Sequence, residues 1–327
     1  MTTSLRTILV PLDGSELAEQ ALAPAIALAR ASGAALHLTQ VCIRYAARKE
    51  MLAVADIHEA IEERRVQEAT AYLASVAERV ASDLPDQVHA DPVRTRPLQS
   101  PYGDTAVIVQ SIRRLARRLH ADLIVMATHA RGGLSRAWLG SVADALVRQG
   151  TRPLLLIHPR EEQAVLSVPF RDILVPLDGS ALAEASLPIA QSLAPLSGAR
   201  LTLLRIIVPR RAIARPAPVT RVSTAYVAAQ EAEATRYLGA VRERTEANGP
   251  CSETAIVVAE QPARAIIEYA VDHDVDLIAM STHGLGGVKR LMIGSVADKV
   301  VRGAPIPVLL ARPEQPERTS ALDASAE

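Results

Sequence analysis

Short apolar runs alternate along the chain with longer stretches in which apolar residues recur every three or four positions. In the first half the apolar runs predict five strands, at residues 7–12, 35–41, 87–92, 122–127 and 153–157. The stretches with helical spacing lie at residues 16–31, 57–83 and 105–120, with counterparts at 225–247 and 262–273. This alternation is typical of a parallel sheet wrapped by crossover helices, and the near-continuous apolarity of the runs predicts burial on both sheet faces.

The first predicted helix, 16–31, has its own start and stop signals. Ser15 is placed to cap its N-terminus, and Gly33 lies just beyond its end. Pro24 falls inside the helical pattern, and Pro188 has the matching place in the second half. Because proline cannot donate the helical hydrogen bond, we expect each to kink or shorten its helix.

The chain contains an internal repeat. Residues 7–15 read TILVPLDGS and residues 172–180 read DILVPLDGS, identical at eight of nine positions at an offset of 165. Further on, residues 122–130 (DLIVMATHA) match residues 276–284 (DLIAMSTHG) at an offset of 154. The sequence therefore predicts an α/β protein of two tandem Rossmann-like domains, each a five-stranded parallel sheet with helices on both faces.

The repeat also sets the expected domain bounds. Residues 1–160 form the predicted N-terminal domain and residues 170–313 the C-terminal domain. The segment between them, 161–169, is expected to be a linker. Residues 314–327 are polar and without periodicity, which predicts a disordered tail.

Composition and charge narrow the class of protein. Lys and Arg number 36 and Asp and Glu number 36, so the chain lacks the excess positive charge that nucleic acid binding requires. No apolar stretch approaches the ~18 residues of a membrane span, and the N-terminus lacks the long apolar region of a signal peptide, so we expect a cytoplasmic protein. Cys42 and Cys251 lie far apart, unlike a disulfide framework or a zinc site.

Two segments of each repeat are candidates for chemistry, because ligands of such sheets bind at the carboxyl ends of the strands, where the strand order reverses. One segment ends the first strand; the other is the glycine-rich loop after the fourth strand with the start of the next helix. The N-terminal candidates are Pro11, Leu12, Asp13, Arg131, Gly140, Ser141 and Val142. The C-terminal candidates are Pro176, Leu177, Asp178, Gly284, Gly287, Gly294, Ser295 and Val296. Glycines let the backbone approach phosphate oxygens, helix N-terminal amides attract anions, and a serine hydroxyl donates one further bond, so the loop is predicted to bind phosphate.

The loop also follows a family pattern, G-x2-G-x9-G-[S/T]. In the C-terminal copy it falls on Ser281, Gly284, Gly294 and Ser295. In the N-terminal copy it falls on Ala127, Ala130, Gly140 and Ser141. With this pattern in both halves, the chain resembles the universal stress protein family. The domains of that family have a Rossmann-like fold of the adenine nucleotide alpha hydrolase-like type. The resemblance implies ATP binding, first of all in the C-terminal copy, because both leading glycines of the N-terminal copy have become alanine.

The same resemblance implies further contacts and partners. Asp178 and Ile206 should meet the ribose and the adenine, as should Asp13 and Val41 in the N-terminal copy. Mg2+ is expected with the triphosphate, held chiefly by phosphate oxygens and water. Family members pair through their last strands, so the two copies are expected to pair inside the chain about a pseudo-two-fold axis, with a homodimer as a further expectation. The implied role is non-catalytic: a nucleotide-dependent regulator in stress adaptation, acting on an unknown protein partner.

Several alternatives stay open at this point. The aspartate at the end of each first strand could cap the following helix instead of binding ribose. His129 and His283, beside the loop, are interpreted as holding it through a hydrogen bond rather than as general bases. The chain lacks the motifs of adenylylating enzymes and of P-loop ATPases. The other candidate functions are a nucleotide-free interaction or scaffold protein, for which the alanines favour the N-terminal half, and a slow ATPase.

Overall fold

The computed structural model describes most of both halves of the chain. The described residues are 4–43, 55–84, 87–91, 93–94, 104–128, 139–158, 170–209, 211–213, 220–222, 224–247, 249–282 and 293–312. The predicted linker and the predicted tail lie outside these residues.

Strands and helices alternate in both halves, as the apolar pattern predicts. The strands are β1 (Thr7–Leu12), β2 (Ala35–Cys42), β3 (Val88–Ala90), β4 (Val93–Arg94), β5 (Leu123–Ala127), β6 (Leu154–Ile157), β7 (Asp172–Pro176), β8 (Arg200–Ile207), β9 (Arg211–Ile213), β10 (Thr220–Val222), β11 (Ser252–Val258), β12 (Leu277–Ser281) and β13 (Val308–Ala311). The helices are α1 (Glu16–Glu19), α2 (Leu22–Ser32), α3 (Ala55–Ala81), α4 (Asp104–Arg118), α5 (Ser141–Gln149), α6 (Ala181–Glu184), α7 (Leu187–Ser197), α8 (Thr224–Glu246), α9 (Pro262–Asp272) and α10 (Ser295–Gly303). None of these helices is both long and apolar enough to cross a membrane.

The main strands form one continuous sheet that runs through both halves. Its order is β11-β8-β7-β12-β13-β6-β5-β1-β2-β3, with β4 also paired to β2, while β9 and β10 form a separate antiparallel pair. Neighbours in the large sheet are parallel except β13 and β6, which are antiparallel. Each half has its first strand in the middle and its strand order reversed there, which confirms the predicted Rossmann-like class.

Apolar cores cover both faces of the sheet, and each core extends across the two halves. One contains α2, α3, α7 and α8, and the other contains α4, α5, α9 and α10. β5, β6, β12 and β13 are buried at every position, as expected for strands covered by helices on both faces. The two halves therefore share their cores.

A pseudo-two-fold axis passes through the junction of β6 and β13. Leu155 lies opposite Leu309 in the antiparallel register, and these two residues occupy the same place in the repeat. Both are fully buried. The expected pairing of the last strands inside the chain is thus confirmed.

Ion pairs link α5 and α10 across this axis. Asp144 lies 2.5 Å from Arg302, and Arg148 lies 3.7 Å from Asp298. Burial alone would raise the pKa of the Asp144 carboxyl, but hydrogen bonds from Arg148 and Arg302 outweigh it and hold that pKa below its usual value. Partial burial keeps such pairs less screened by salt than fully exposed ones.

Each last strand is followed by a basic side chain that reaches the other half. His158 Nε2 lies 2.9 Å from the Val301 carbonyl oxygen in α10, and Arg312 donates to the Val147 carbonyl oxygen in α5. Both carbonyls belong to the last turn of a helix, where acceptors lack partners inside the helix. Burial first, and then the nearby Arg113, lower the pKa of Arg312 to about 10.

Two predicted elements differ from the observed ones. The predicted helix 16–31 is two helices, α1 and α2, and Pro24 lies in the first turn of the second, where its missing N–H costs nothing. The predicted strand 87–92 is wrong in extent, because pairing with β2 is divided between the short strands β3 and β4. The Ser15 cap and the left-handed Gly33 are confirmed, with Ala18 N–H donating to Ser15 Oγ at 3.2 Å.

Candidate functional site

The two central strands of each half separate toward their carboxyl ends. Pairing of β7 with β12 ends at Leu174 and Ile278, although β7 pairs with β8 as far as Pro176 and β12 with β13 as far as Ser281. In the N-terminal copy β1 and β5 separate in the same way. A crevice at the reversal of strand order is the usual ligand position in this fold.

The turn after the first strand has the same hydrogen bonds in both copies. Asp178 Oδ1 accepts from the Ser180 N–H at 3.0 Å and from Ser180 Oγ at 2.6 Å, and the Ala183 N–H donates to Ser180 Oγ at 3.1 Å. Asp13, Ser15 and Ala18 repeat this pattern. The serine therefore caps the helix, and the half-buried aspartate orients the serine, which argues against the aspartate itself being the cap.

The start of the helix after the loop is fixed to the end of the fourth strand. The Gly294 N–H donates to the Thr282 carbonyl oxygen at 2.7 Å, and the Asp298 N–H makes the first helical bond to the Gly294 carbonyl oxygen at 2.9 Å. The hydrogen of the Gly294 amide is therefore already used inside the protein. The amides of residues 295–297, which include Ser295 and Val296, lack an acceptor inside the helix and are the donors that an anion would meet.

The N-terminal copy repeats this helix start with one difference. The Gly140 N–H donates to the Thr128 carbonyl oxygen at 2.6 Å, and α5 begins at Ser141, followed by Val142. Ser141 Oγ, however, lies within hydrogen-bond distance of Thr105 Oγ1, at 3.3 Å. At the same repeat offset the C-terminal copy has Ala259, which precedes α9 (Pro262–Asp272) instead of lying in the first turn of a helix.

The remaining predicted site residues fall into two groups. Those that end strands or lie near their ends are Pro11, Leu12, Val41, Ala127, Pro176, Leu177, Ile206 and Ser281. Those that lie outside the described residues are Ala130, Arg131, Gly284 and Gly287, as well as His129 and His283. The structure brings the first group to the carboxyl edge of the sheet; the roles of the second group stay predictions.

A partly exposed hydrogen-bond network behind the turn is not anticipated from the sequence pattern. In the C-terminal copy Glu184 accepts from Tyr237 Oη at 2.9 Å and from Arg244 Nη2 at 2.9 Å, which ties α6 to α8. Burial first, and then the hydrogen bond to Glu184, raise the pKa of Tyr237. The same network recurs in the N-terminal copy on Glu19, Tyr72 and Arg79. Its three members recur at the offset of 165, which is the signal that could have revealed it.

Arg205 is a second unanticipated residue, and it lies beneath the turn of the C-terminal copy. Its Nη1 is 3.4 Å from the Leu177 carbonyl oxygen and 3.5 Å from the place where a Cβ on Gly179 would lie. Gly179 has φ +88°, a left-handed backbone that favours glycine. In the N-terminal copy the matching residue is Gln40, whose Nε2 lies 3.8 Å from the equivalent point on Gly14.

Comparisons with known proteins agree on one family. The model of the universal stress protein family matches residues 4–158 and again residues 169–312. A universal stress protein of Mycobacterium tuberculosis is 29% identical over 193 residues, which are 59% of this chain and 62% of that protein. A universal stress protein of Thermus aquaticus is 36% identical over 146 residues, which are 44% of this chain and 99% of that protein. The match thus spans less than two-thirds of the mycobacterial relative.

One solved structure has the same fold over nearly the whole chain. It is a universal stress protein from Archaeoglobus fulgidus, with a TM-score of 0.67 and 19% sequence identity. The likeness covers 95% of this chain and 99% of that one. Both halves of the chain therefore have a counterpart in the solved fold.

Proposed function

Since the chain belongs to the universal stress protein family, we propose that it binds ATP in its C-terminal half and acts as a nucleotide-dependent regulator in a stress response. The observation that carries this proposal is the arrangement at the end of β7 and β12. There the strands part, a half-buried carboxylate ends one strand, and the bond between Gly294 and Thr282 fixes a helix N-terminus at the end of the other. A ribose needs an acceptor for its hydroxyls, and a polyphosphate needs helix N-terminal amides.

The N-terminal copy is proposed as the weaker site or as a scaffold. Ala127 and Ala130 replace glycines of the family pattern, and the Ser141 hydroxyl already has a neighbour in Thr105. Thr105 donates that bond and Ser141 accepts it, so the expectation of a weaker site rests on the two alanines.

Mg2+ would arrive with the triphosphate and not in a protein cage. Among the described residues no group of three or more His, Cys, Asp and Glu side chains is placed to hold a metal ion. A hard cation that keeps several waters is satisfied by phosphate oxygens and water. The proposed role is that of a binding protein.

The experiment is to purify the protein, denature it and quantify the released nucleotide for wild type, Gly294→Asp and the matched variant Gly140→Asp. Both glycines are helix N-caps in backbone conformations open to any residue, with φ −61° and −56°. Aspartate is itself a favoured N-cap, so the helices should persist while a carboxylate opposes the phosphates. We expect about one ATP per chain, lost in Gly294→Asp and kept in Gly140→Asp.

Two results would contradict the proposal. One is wild-type protein that releases no nucleotide and shows no heat of binding when it is titrated with ATP. The other is equal retention of ATP by the two variants, provided that circular dichroism and urea midpoints show both to be folded. Incubation with ATP and assay of ADP formation tests the non-catalytic role separately.

A further inference from the structure

The charges behind the candidate turn differ between the two copies. In the C-terminal copy four charged side chains meet there: Asp178, Glu184, Arg205 and Arg244. Their two carboxylates are balanced by two guanidinium groups. The matching four positions of the N-terminal copy are Asp13, Glu19, Gln40 and Arg79. Among these four side chains one carboxylate has no guanidinium to balance it, because Gln40 is neutral.

The position of Arg205 makes this difference relevant to a ligand. Its guanidinium lies directly under the backbone of Leu177 and Gly179, which flank Asp178 at the strand end. The pKa of Tyr237 is raised mainly by burial and by Glu184. Two smaller effects on it show that both charges lie nearby, because Arg205 lowers this pKa and Asp178 raises it. Arg205 is half-buried, so water screens its charge less than it would on an open surface.

The interaction energy between a charged side chain beneath the turn and a bound anion is proportional to the charge of the anion. Coulomb energy is linear in both charges and falls only with the first power of distance at short range. A nucleotide whose ribose lies at Asp178 brings its phosphates into the same crevice, where an unbalanced carboxylate opposes each added phosphate. A guanidinium beneath that carboxylate offsets this opposition, most of all for the most highly charged ligand.

Resting on the ATP-binding function proposed above, we propose that Arg205 makes the C-terminal site selective for a nucleoside triphosphate over less charged adenine ligands. It is a positioning and charge-balancing residue beneath the turn, and the N-terminal copy lacks it. The variant Arg205→Gln introduces the residue that the N-terminal copy already accommodates at the same place, which makes a folded variant the expected result.

The test is calorimetric titration with ATP, ADP, AMP and adenosine, all in the Gly140→Asp background so that the C-terminal site alone is measured. For Arg205→Gln we expect the affinity for ATP to fall about fivefold and that for adenosine less than about twofold, with ADP and AMP between them. Salt at about 0.5 M should shrink the loss, because screening shortens the reach of the charge. Arg205→Lys keeps the positive charge, so we expect this variant to keep the wild-type preference for ATP over the less charged ligands.

Arg200→Gln is the matched control. Arg200 begins the same strand, β8, and pairs with Asp172 at 2.7 Å, far from the carboxyl end. Arg200→Gln removes the same charge from the chain, and we expect no graded loss of affinity among the four ligands.

An equal loss for all four ligands would overturn the proposal, since it would show that Arg205 merely supports the Leu177 carbonyl. Unchanged ATP affinity in Arg205→Gln would overturn it too, while leaving ATP binding itself intact. Wild-type protein that binds none of the four ligands would overturn the proposed function and this inference together.

Discussion

Truncating the two leucines on the pseudo-two-fold axis tests whether the halves form one cooperative unit. Leu155 and Leu309 are both 0% exposed and lie opposite each other in the antiparallel register. Replacing a fully buried leucine by alanine costs about 3 to 5 kcal/mol, from lost transfer energy and from the cavity left behind. Because the axis makes the two environments alike, we expect Leu155→Ala and Leu309→Ala to have the same cost within about 1 kcal/mol.

The double variant should cost less than the sum of the single variants. Directly opposite residues have Cβ atoms about 5 Å apart, so the second truncation removes contacts that the first has already broken, and we expect a coupling of at least about 0.5 kcal/mol. Leu73→Ala and Leu238→Ala are the control pair: both are 0% exposed and equivalent in the repeat, but they lie on α3 and α8 near opposite edges of the sheet. Their costs should add within about 0.5 kcal/mol.

The assay is urea unfolding followed by far-ultraviolet circular dichroism and by the fluorescence of the single tryptophan. Coincident single transitions with an unchanged slope are expected for every variant, because the core is shared. Two transitions, of which Leu309→Ala shifts only one, would refute the reasoning. So would additive costs for the Leu155 and Leu309 pair, since the two cavities would then not be in contact.

Three further predictions concern single sites. Gly179→Ala should cost about 1–2 kcal/mol in urea unfolding, because it forces an alanine into a left-handed backbone, whereas Gly239→Ala in the open middle of α8 should stabilise by about 1 kcal/mol. The raised pKa of Tyr237 means that its contribution to stability is complete below its unfolded pKa of 10.0 and is lost as the pH rises above it. Tyr237→Phe should therefore flatten the fall in melting temperature between about pH 9 and pH 11. The lowered pKa of Asp144 has the opposite effect. Its contribution to stability is complete above the unfolded pKa of 3.8 and is lost as the pH falls through the pKa of the folded state. Asp144→Asn should therefore weaken the acid dependence of stability below about pH 4, as measured by urea midpoints.

The sequence predicted the frame of the fold because the frame depends on patterns of many residues. The buried strands are continuous apolar runs, and the repeat offset relates each strand to its counterpart. The antiparallel junction at Leu155 was predictable only through the family resemblance, since two apolar runs do not by themselves fix which strands pair. The division of the predicted helix 16–31 was foreseen as a kink or a shortening caused by Pro24, but it falls at Gln20 and Ala21, ahead of that proline.

The parts of the site that escaped prediction depend on single hydrogen bonds. The Gly294 amide looked available because glycine at a helix start often faces an anion, yet Thr282 already accepts its hydrogen. Arg205 reads in sequence as one arginine among many, and its place beneath Gly179 follows from the register of β7 with β8 and from the absent Cβ. Such contacts join residues far apart in sequence, and a periodicity of two or 3.6 contains no information about them.

The two copies keep one set of charges identical across the junction, while other residues that cross it differ, such as His158 and Arg312. Asp144 and Arg148 have identical counterparts in α10, Asp298 and Arg302, so the aspartate of each copy meets the arginine of the other. At the crevices the turn sequence PLDGS is the same in both copies, but Gln40 corresponds to Arg205 and Ala127 corresponds to Ser281. These differences at the crevices are the basis for expecting the two copies to be unequal as sites.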